Sequence, residues 1–366
     1  MKLKRVLFIT LSAIALVAMG SLLVACQPEA EQQEQETEGE AEADTEAGAQ
    51  EGAQIGEHAV TQQPDWPTEQ VKIGVAIPSA DHGWTGGVVW WSEKAISDWE
   101  EADPNLEFVL TTADSPEGMV GDVEDLMVQD IDALVVLPHA SEPLTPVVKE
   151  VANEGIYTVV IDRGLTEQVE DVYVAGDNPG LGRKSAEYMA EELDGEGRLV
   201  MLEGIPSVIN TERVEAFRAV MENYPDIEIL ESQPAYWQTE QGLQIMENYL
   251  QKYDDIDAVW AQDDDVLKGV LQAYEESGRD DIELMLGGAG SKDIIEMVME
   301  GDDLVTADVT YPPNMAATAI SMAVLGMRDQ HLNGFYQNAI PSEVILAAEL
   351  ITEENAEQYY EPDSPF

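Results

Sequence analysis

From Val71 onward, short apolar runs alternate with amphipathic stretches, and the alternation starts over near Asn178. This rhythm constrains the fold more than any other feature. The run Val71-Lys72-Ile73-Gly74-Val75-Ala76-Ile77-Pro78 reads as a strand. Helical spacing follows from about Gly87 to Glu101, and further strands are expected near 107–111, 133–137, 157–161 and 171–174, with helices near 119–129 and 143–154. Strand, helix, strand in repetition requires a parallel sheet with crossover helices on both faces. After Asn178 the pattern predicts helices near 178–193, 211–223, 239–252, 266–277 and 292–300, alternating with strands near 197–202, 227–233, 258–261, 283–286 and 304–310. One long helix, 313–327, and a strand around 344–350 remain, so a late segment has to return to the first lobe. The expected class is α/β: two Rossmann-like parallel-sheet lobes joined by a hinge of three crossing strands.

The first 26 residues carry an address rather than a fold. Lys2, Lys4 and Arg5 precede an apolar run that closes on Leu23-Val24-Ala25-Cys26. The pattern resembles a bacterial lipoprotein signal, cut before Cys26 with acylation of its thiol. An uncleaved anchor is the alternative, because the run is about the ~20 residues needed to span a bilayer. Either way the bulk of the chain faces outward. Cys26 is the one cysteine, and it lies where the lipidation signal needs it, which excludes an intrachain disulfide, a thiol nucleophile and a cysteine metal site. From Gln27 to about Gln70 the chain is Glu, Gln, Ala and Gly with few branched aliphatic residues. Such a stretch buries too little apolar surface to offset chain entropy and is expected to be a self-repelling spacer.

Charge narrows the partners. Asp and Glu number 74 against 17 Lys and Arg, a formal net charge of -57. Like-charge repulsion argues against nucleic acid and anionic membrane surfaces. Acidic runs such as Asp254-Asp255-Ile256-Asp257 persist into the patterned region. They suggest a halophile-type surface that depends on salt to screen self-repulsion; an ordinary acidic secreted protein is the other reading.

Parallel α/β sheets bind ligands at the carboxyl ends of their strands, so the residues just after each strand are the ones to read. His82 and Trp84 follow the first strand, and Asp162-Arg163 follows the fourth. In the second lobe Asn210 and Arg213 follow one strand, Trp237 another and Asp263 a third. Aromatic faces pack on the hydrocarbon face of a sugar ring, while carboxylates and guanidinium groups bond to its hydroxyls. A polyhydroxyl pocket is the chemistry this set suits. For His82, a purely structural role stays open, as does a core role for Trp237.

Several segments together resemble the periplasmic ribose-binding-protein family, the sugar-binding proteins of ABC importers. They are Val71-Lys72-Ile73-Gly74-Val75, Asp162-Arg163, Gly176-Asp177-Asn178, Glu212-Arg213-Val214-Glu215-Ala216-Phe217 and Ala261-Gln262-Asp263-Asp264. The resemblance runs from Val71 to Leu350 and implies a type I periplasmic binding protein fold. It implies that Asp162, Arg163, Arg213 and Asp263 bond to sugar hydroxyls, and that Trp84 and Trp237 stand where the family sandwiches the ring with Phe. His82 would take the place of a hydrogen-bonding Asn. Crossings would lie near Gly176-Asp177, near Thr310-Tyr311 and after His331, with Thr310 where the family carries Gln. The chain reads Gly287-Gly288-Ala289-Gly290-Ser291 where ribose binders carry Gly-Phe-Asp-Gly, so one carboxylate contact is missing. That departure argues for a sugar other than ribose, a polyol or a cyclitol.

The domain plan that results is a signal over 1–25 and an acidic linker over 26–69. The N-terminal lobe takes 70–176 plus 311–337, and the C-terminal lobe takes 177–310 plus 338–366. No Walker-type loop and no Gly-x-Gly-x-x-Gly after the first strand supports nucleotide chemistry, and neither an EF-hand spacing nor a nucleophile elbow is present. No cofactor, no metal and no catalysis are expected. The first reading is a monomeric lipoprotein, bound to the membrane through its lipid anchor only, that delivers a sugar to an ABC permease. The alternatives are a sensory protein that reports a signal molecule or nucleoside to a receptor, and a hydrolase needing a carboxylate pair on the bound sugar.

Overall fold

The computed structural model describes residues 69–328 and 341–366. The signal, Cys26, all but the end of the acidic linker and residues 329–340 lie outside the described residues.

The first lobe is built from β1 (Val71–Pro78), α1 (Gly83–Ala102), β2 (Leu106–Ala113), α2 (Pro116–Val128), β3 (Ala133–Val136), α3 (Ser141–Asn153), β4 (Tyr157–Ile161) and β5 (Val172–Gly176). Its strands pair in parallel throughout. Helices cover both faces, so the strands are buried on both sides; all four residues of β3, Ala-Leu-Val-Val, are buried. Helix starts follow local chemistry. Ser115 Oγ accepts from Gly118 N–H at 3.1 Å ahead of α2, with Pro116 opening the helix where an N–H has no partner to lose.

The second lobe contains α4 (Asn178–Glu192), β6 (Glu196–Glu203), α5 (Val208–Met221), β7 (Asp226–Pro234), α6 (Thr239–Lys252), β8 (Ala258–Trp260), α7 (Asp264–Ser277), β9 (Leu284–Leu286), α8 (Lys292–Glu300) and β10 (Ala307–Val309). Strands β7, β6, β8 and β9 form a parallel four-stranded sheet in that order. Its core stacks Phe217 on Trp260, ring centroids 4.0 Å apart and planes 10° from parallel.

The chain then returns. Helix α9 (Met315–Met327) packs on the first sheet and on α1. The single strand expected around 344–350 is two: β11 (Glu343–Leu346) and β12 (Leu350–Thr352). Strand β11 joins the first sheet beside β5, giving the order β11-β5-β4-β3-β1-β2. This corrects the domain plan, which put all of 338–366 in the C-terminal lobe. The chain changes lobes between β11 and β12, because β11 adds to the open edge at β5 while β12 pairs antiparallel with β10. Strand β10 was expected in the parallel sheet of the second lobe. It forms this separate two-stranded ribbon instead, linked to the loop after β9 by the Ala289–Thr310 bridge. Among the described residues three connections therefore join the lobes: β5 to α4, β10 to α9 and β11 to β12.

Candidate ligand site between the lobes

Seven of the eight residues singled out after strands, together with Tyr311 of the Thr310-Tyr311 crossing, line one cavity: His82, Trp84, Asp162, Arg163, Arg213, Trp237, Asp263 and Tyr311. Ile209 and Ala289 complete the wall, and about 360 Å³ of empty space lies between them.

Tyr311, on the β10–α9 crossing, organises the first-lobe wall. Its hydroxyl donates to Asp162 Oδ1 at 2.5 Å and accepts from Asn178 Nδ2 at 3.3 Å, while its carbonyl accepts from Trp84 Nε1 at 2.9 Å. Burial, then the neighbouring Asp162 carboxylate, pushes the phenol well above its ordinary value, so the hydroxyl stays a donor. A side chain at Gly176 would come within 2.3 Å of the Tyr311 ring, so only glycine lets the tyrosine settle on the β5 crossing. Arg163 donates from Nη1 to the His139 carbonyl at 3.0 Å, and its Nε lies 3.9 Å from Asp162 Oδ2. His82 precedes α1, with Nδ1 2.6 Å from Asp81 Oδ1.

In the second lobe Arg213 is 4% exposed. Its Nε donates to Asn178 Oδ1 at 2.8 Å and its Nη1 to the Gln262 carbonyl at 3.4 Å. The guanidinium carbon sits 4.3 Å from the Tyr311 ring centroid and 6.0 Å from that of Trp237. Arg213 thus joins two aromatic faces to the crossing residue Asn178. Trp237 lies so close over Gly204 that a Cβ there would come within 2.2 Å of the indole nitrogen.

Asp263 caps α7, its Oδ1 accepting from Asp265 N–H at 3.0 Å and Val266 N–H at 3.2 Å. Its Oδ2 has no hydrogen-bond partner among the described residues. Burial, then the charges of Asp265 and Asp264, raises this carboxyl well above the ordinary range. Asp265 reaches across the cleft: its Oδ2 accepts from Gly83 N–H at 2.8 Å, in the first turn of α1, where the helix dipole favours a carboxylate.

Backbone strain gathers at the same strand ends. Among non-glycine residues, Asp162 (φ 56°), Tyr236 (58°), Trp237 (57°), Gln262 (62°) and Ala289 (119°) all lie at positive φ. Such conformations cost of order 1–3 kcal/mol each and persist where surrounding contacts enforce them.

Two expected residues do not reach the cavity. Asn210 accepts from Gly204 N–H at 2.9 Å and donates to Glu203 Oε2 at 3.0 Å, so it fastens the loop beneath Trp237. Thr310 Oγ1 accepts from Glu349 N–H at 2.8 Å, tying two crossings together. Both side chains are spent on backbone groups that the crossings and loops leave unpaired. Strand-end reasoning missed Asn178, the link between Arg213 and Tyr311; its place beside Asp177 in the Gly-Asp-Asn segment was the available signal. It also missed Gln262, wholly buried, with Oε1 3.1 Å from Gly204 N–H.

Behind the wall, Asp264 is buried, accepting from Gly288 N–H at 2.9 Å and Ser291 N–H at 2.6 Å. Asp308, equally buried, accepts from Gly290 N–H at 2.9 Å. Burial pushes Asp264 up to about 6, and burial followed by the charge of Asp264 pushes Asp308 well upward.

Comparison with known proteins identifies a family and a fold. The family described as "Periplasmic binding protein domain" matches residues 73–328. The ribose import binding protein of Bacillus subtilis (strain 168) is 32% identical over 195 residues, 53% of this chain and 62% of that protein. The xylitol-binding protein of Mycolicibacterium smegmatis is 29% identical over 206 residues, 56% of this chain and 59% of that protein. The chain therefore spans less than two thirds of the length of either relative. Among solved structures, an ABC transporter periplasmic solute binding protein from Actinobacillus succinogenes 130z with bound D-allose superposes with a TM-score of 0.69. It is 25% identical, covering 79% of this chain and all of that one.

Proposed function

The chain belongs to the periplasmic binding protein domain family, and from that premise we propose that it captures a sugar, or a sugar-like polyol or cyclitol, between its lobes and delivers it to an ABC import permease. The observation that carries this reading is the paired arrangement of donors and acceptors in one small cavity. Each lobe contributes one guanidinium and one carboxylate, and each carboxylate has one oxygen held by the protein and another left for the ligand. Vicinal hydroxyls donate to a carboxylate oxygen while accepting from a guanidinium, and the indoles of Trp84 and Trp237 offer apolar faces to a ring.

Relatives whose names state binding of ribose, xylitol and D-allose support this ligand class. In this reading the ligand docks on one wall and the second lobe swings over it, with no bond made or broken. The closed form is what the permease recognises. The family implies an extracytoplasmic location, and Cys26 would supply the lipid tether to a monomeric protein.

A thermal-shift screen of the full chain in high salt tests the proposal, with pentoses, hexoses, sugar alcohols and inositols as probes. A ligand at about a hundredfold its Kd stabilises by ~2.7 kcal/mol. A raised melting temperature with one polyhydroxyl class is the expected result. A folded protein that responds to none of them overturns the reading.

A further inference from the structure

The cleft does not end at the inner cavity. A second cavity, with about 1080 Å³ of empty space, shares Asp162, Arg163, Ile209 and Trp237 with the first. Its walls are of different character. Leu165 comes from the first lobe and Ile205 and Val208 from the second, and the latter two are 41% and 73% exposed. In a chain of net charge -57, two large aliphatic side chains left in water at one mouth form an apolar step in an otherwise acidic surface. Glu212 stands on the same wall, which disfavours an anionic group there.

We propose that this vestibule is a second subsite, and that the ligand is a glycoside: a sugar ring in the inner cavity bearing a neutral apolar or planar substituent over Ile205, Val208 and Leu165. The proposal rests on the sugar-binding reading above and names the ligand class more closely. Asp162, Arg163, Ile209 and Trp237 line both spaces, so the inner cavity and the vestibule adjoin at these four side chains. A substituent leaving the ring toward Arg163 and Ile209 is directed at the larger space, which those two residues also line. Covering Ile205 and Val208 removes apolar surface from water, a gain that free sugar cannot supply.

Isothermal titration of the full chain with D-ribose, D-allose and D-galactose, each beside its methyl and phenyl glycosides in both anomeric forms, is the test. For a ring that binds, one phenyl glycoside is expected to bind about tenfold tighter than the methyl glycoside of the same anomer. Val208→Asp should weaken the phenyl glycoside about tenfold more than the free sugar. Val208 is the first residue of α5, where an aspartate suits the helix terminus, so folding is expected to survive. Phenyl glycosides that bind no better than methyl glycosides overturn the subsite. So does a Val208→Asp variant that weakens free sugar and phenyl glycoside equally, which would make the patch a lobe-closure contact. If neither a free sugar nor any glycoside binds, this inference fails, while the broader polyhydroxyl reading is decided by the thermal-shift screen above.

Discussion

The two walls of the cleft reach similar chemistry by different routes. On the first-lobe wall a single carboxylate, Asp162, is set by a tyrosine from a lobe crossing, and Arg163 stays at the rim with its side chain 20% exposed. On the second-lobe wall three consecutive aspartates divide the work at the start of α7. Asp263 faces the cavity, Asp264 holds the Gly288–Ser291 loop, and Asp265 bonds across the cleft. Consecutive residues at a helix start point about 100° apart, so adjacency in sequence becomes three separate directions in space. The second lobe therefore carries the buried, pre-set half of the site, and the first lobe the more accessible half.

If that contrast holds, Arg213→Ala should have the largest effect. It removes two hydrogen bonds and an aromatic stack and leaves Asn178 Oδ1 without its donor, so titration calorimetry should show a loss of about 3 kcal/mol or more in affinity. Arg163→Ala, at the rim, should cost about 1–2 kcal/mol. Equal losses would break the distinction between the walls.

The next effect concerns the buried pair Asp264 and Asp308, and its sign is fixed by the upward shifts. Between 3.8 and about 6 the folded state holds more protons than the unfolded state. The pair's contribution to stability is therefore full below the unfolded value and is lost as pH rises through the folded one. Surface acid repulsion acts in the same direction, so the wild type alone cannot isolate the pair. Asp308→Asn can: its amide would donate to Asp264 without a titrating proton. Melting curves from pH 4 to 8 should show a smaller decline for the variant than for the wild type. Parallel declines would mean that the pair is not the source.

Smaller effects sharpen the comparison further. Trp237→Ala should weaken a ring ligand by about 1 kcal/mol more than a linear polyol such as xylitol, since stacking needs a flat apolar face. Equal losses would place Trp237 in the wall rather than on the ligand. Asp265→Ala removes the 2.8 Å bond to Gly83 N–H. It should cost about 1 kcal/mol, read by stopped flow mainly as faster dissociation. An unchanged dissociation rate would mean that this bond does not hold the lobes together.

Much of the fold was legible because periodicity is local. The helices over 239–252 and 292–300 were readable to the residue, since apolar spacing and flanking turns mark their ends. The strand around 344–350 was not. Val344-Ile345-Leu346 and Leu350-Ile351 differ little in composition, and only the free edges at β5 and β10 decide that they belong to different sheets. Strand ends likewise pointed to seven cavity residues, because in parallel α/β sheets chain direction alone sends those ends to one side. Asn210 satisfied the same rule and, like Thr310 at its crossing, was claimed by nearby backbone groups instead.

The sequence by itself determined the α/β alternation, its restart near Asn178, the acidic character and the strand-end positions where ligand chemistry could collect. All of these follow from local patterning or composition. Only the tertiary structure decided that Tyr311 sets Asp162, that Asn178 links Arg213 to a lobe crossing, and that Asp265 bonds to the opposite lobe. Those contacts join residues from 35 to 182 positions apart. Their existence depends on how two separately patterned lobes close around three crossings, and no local pattern records that geometry.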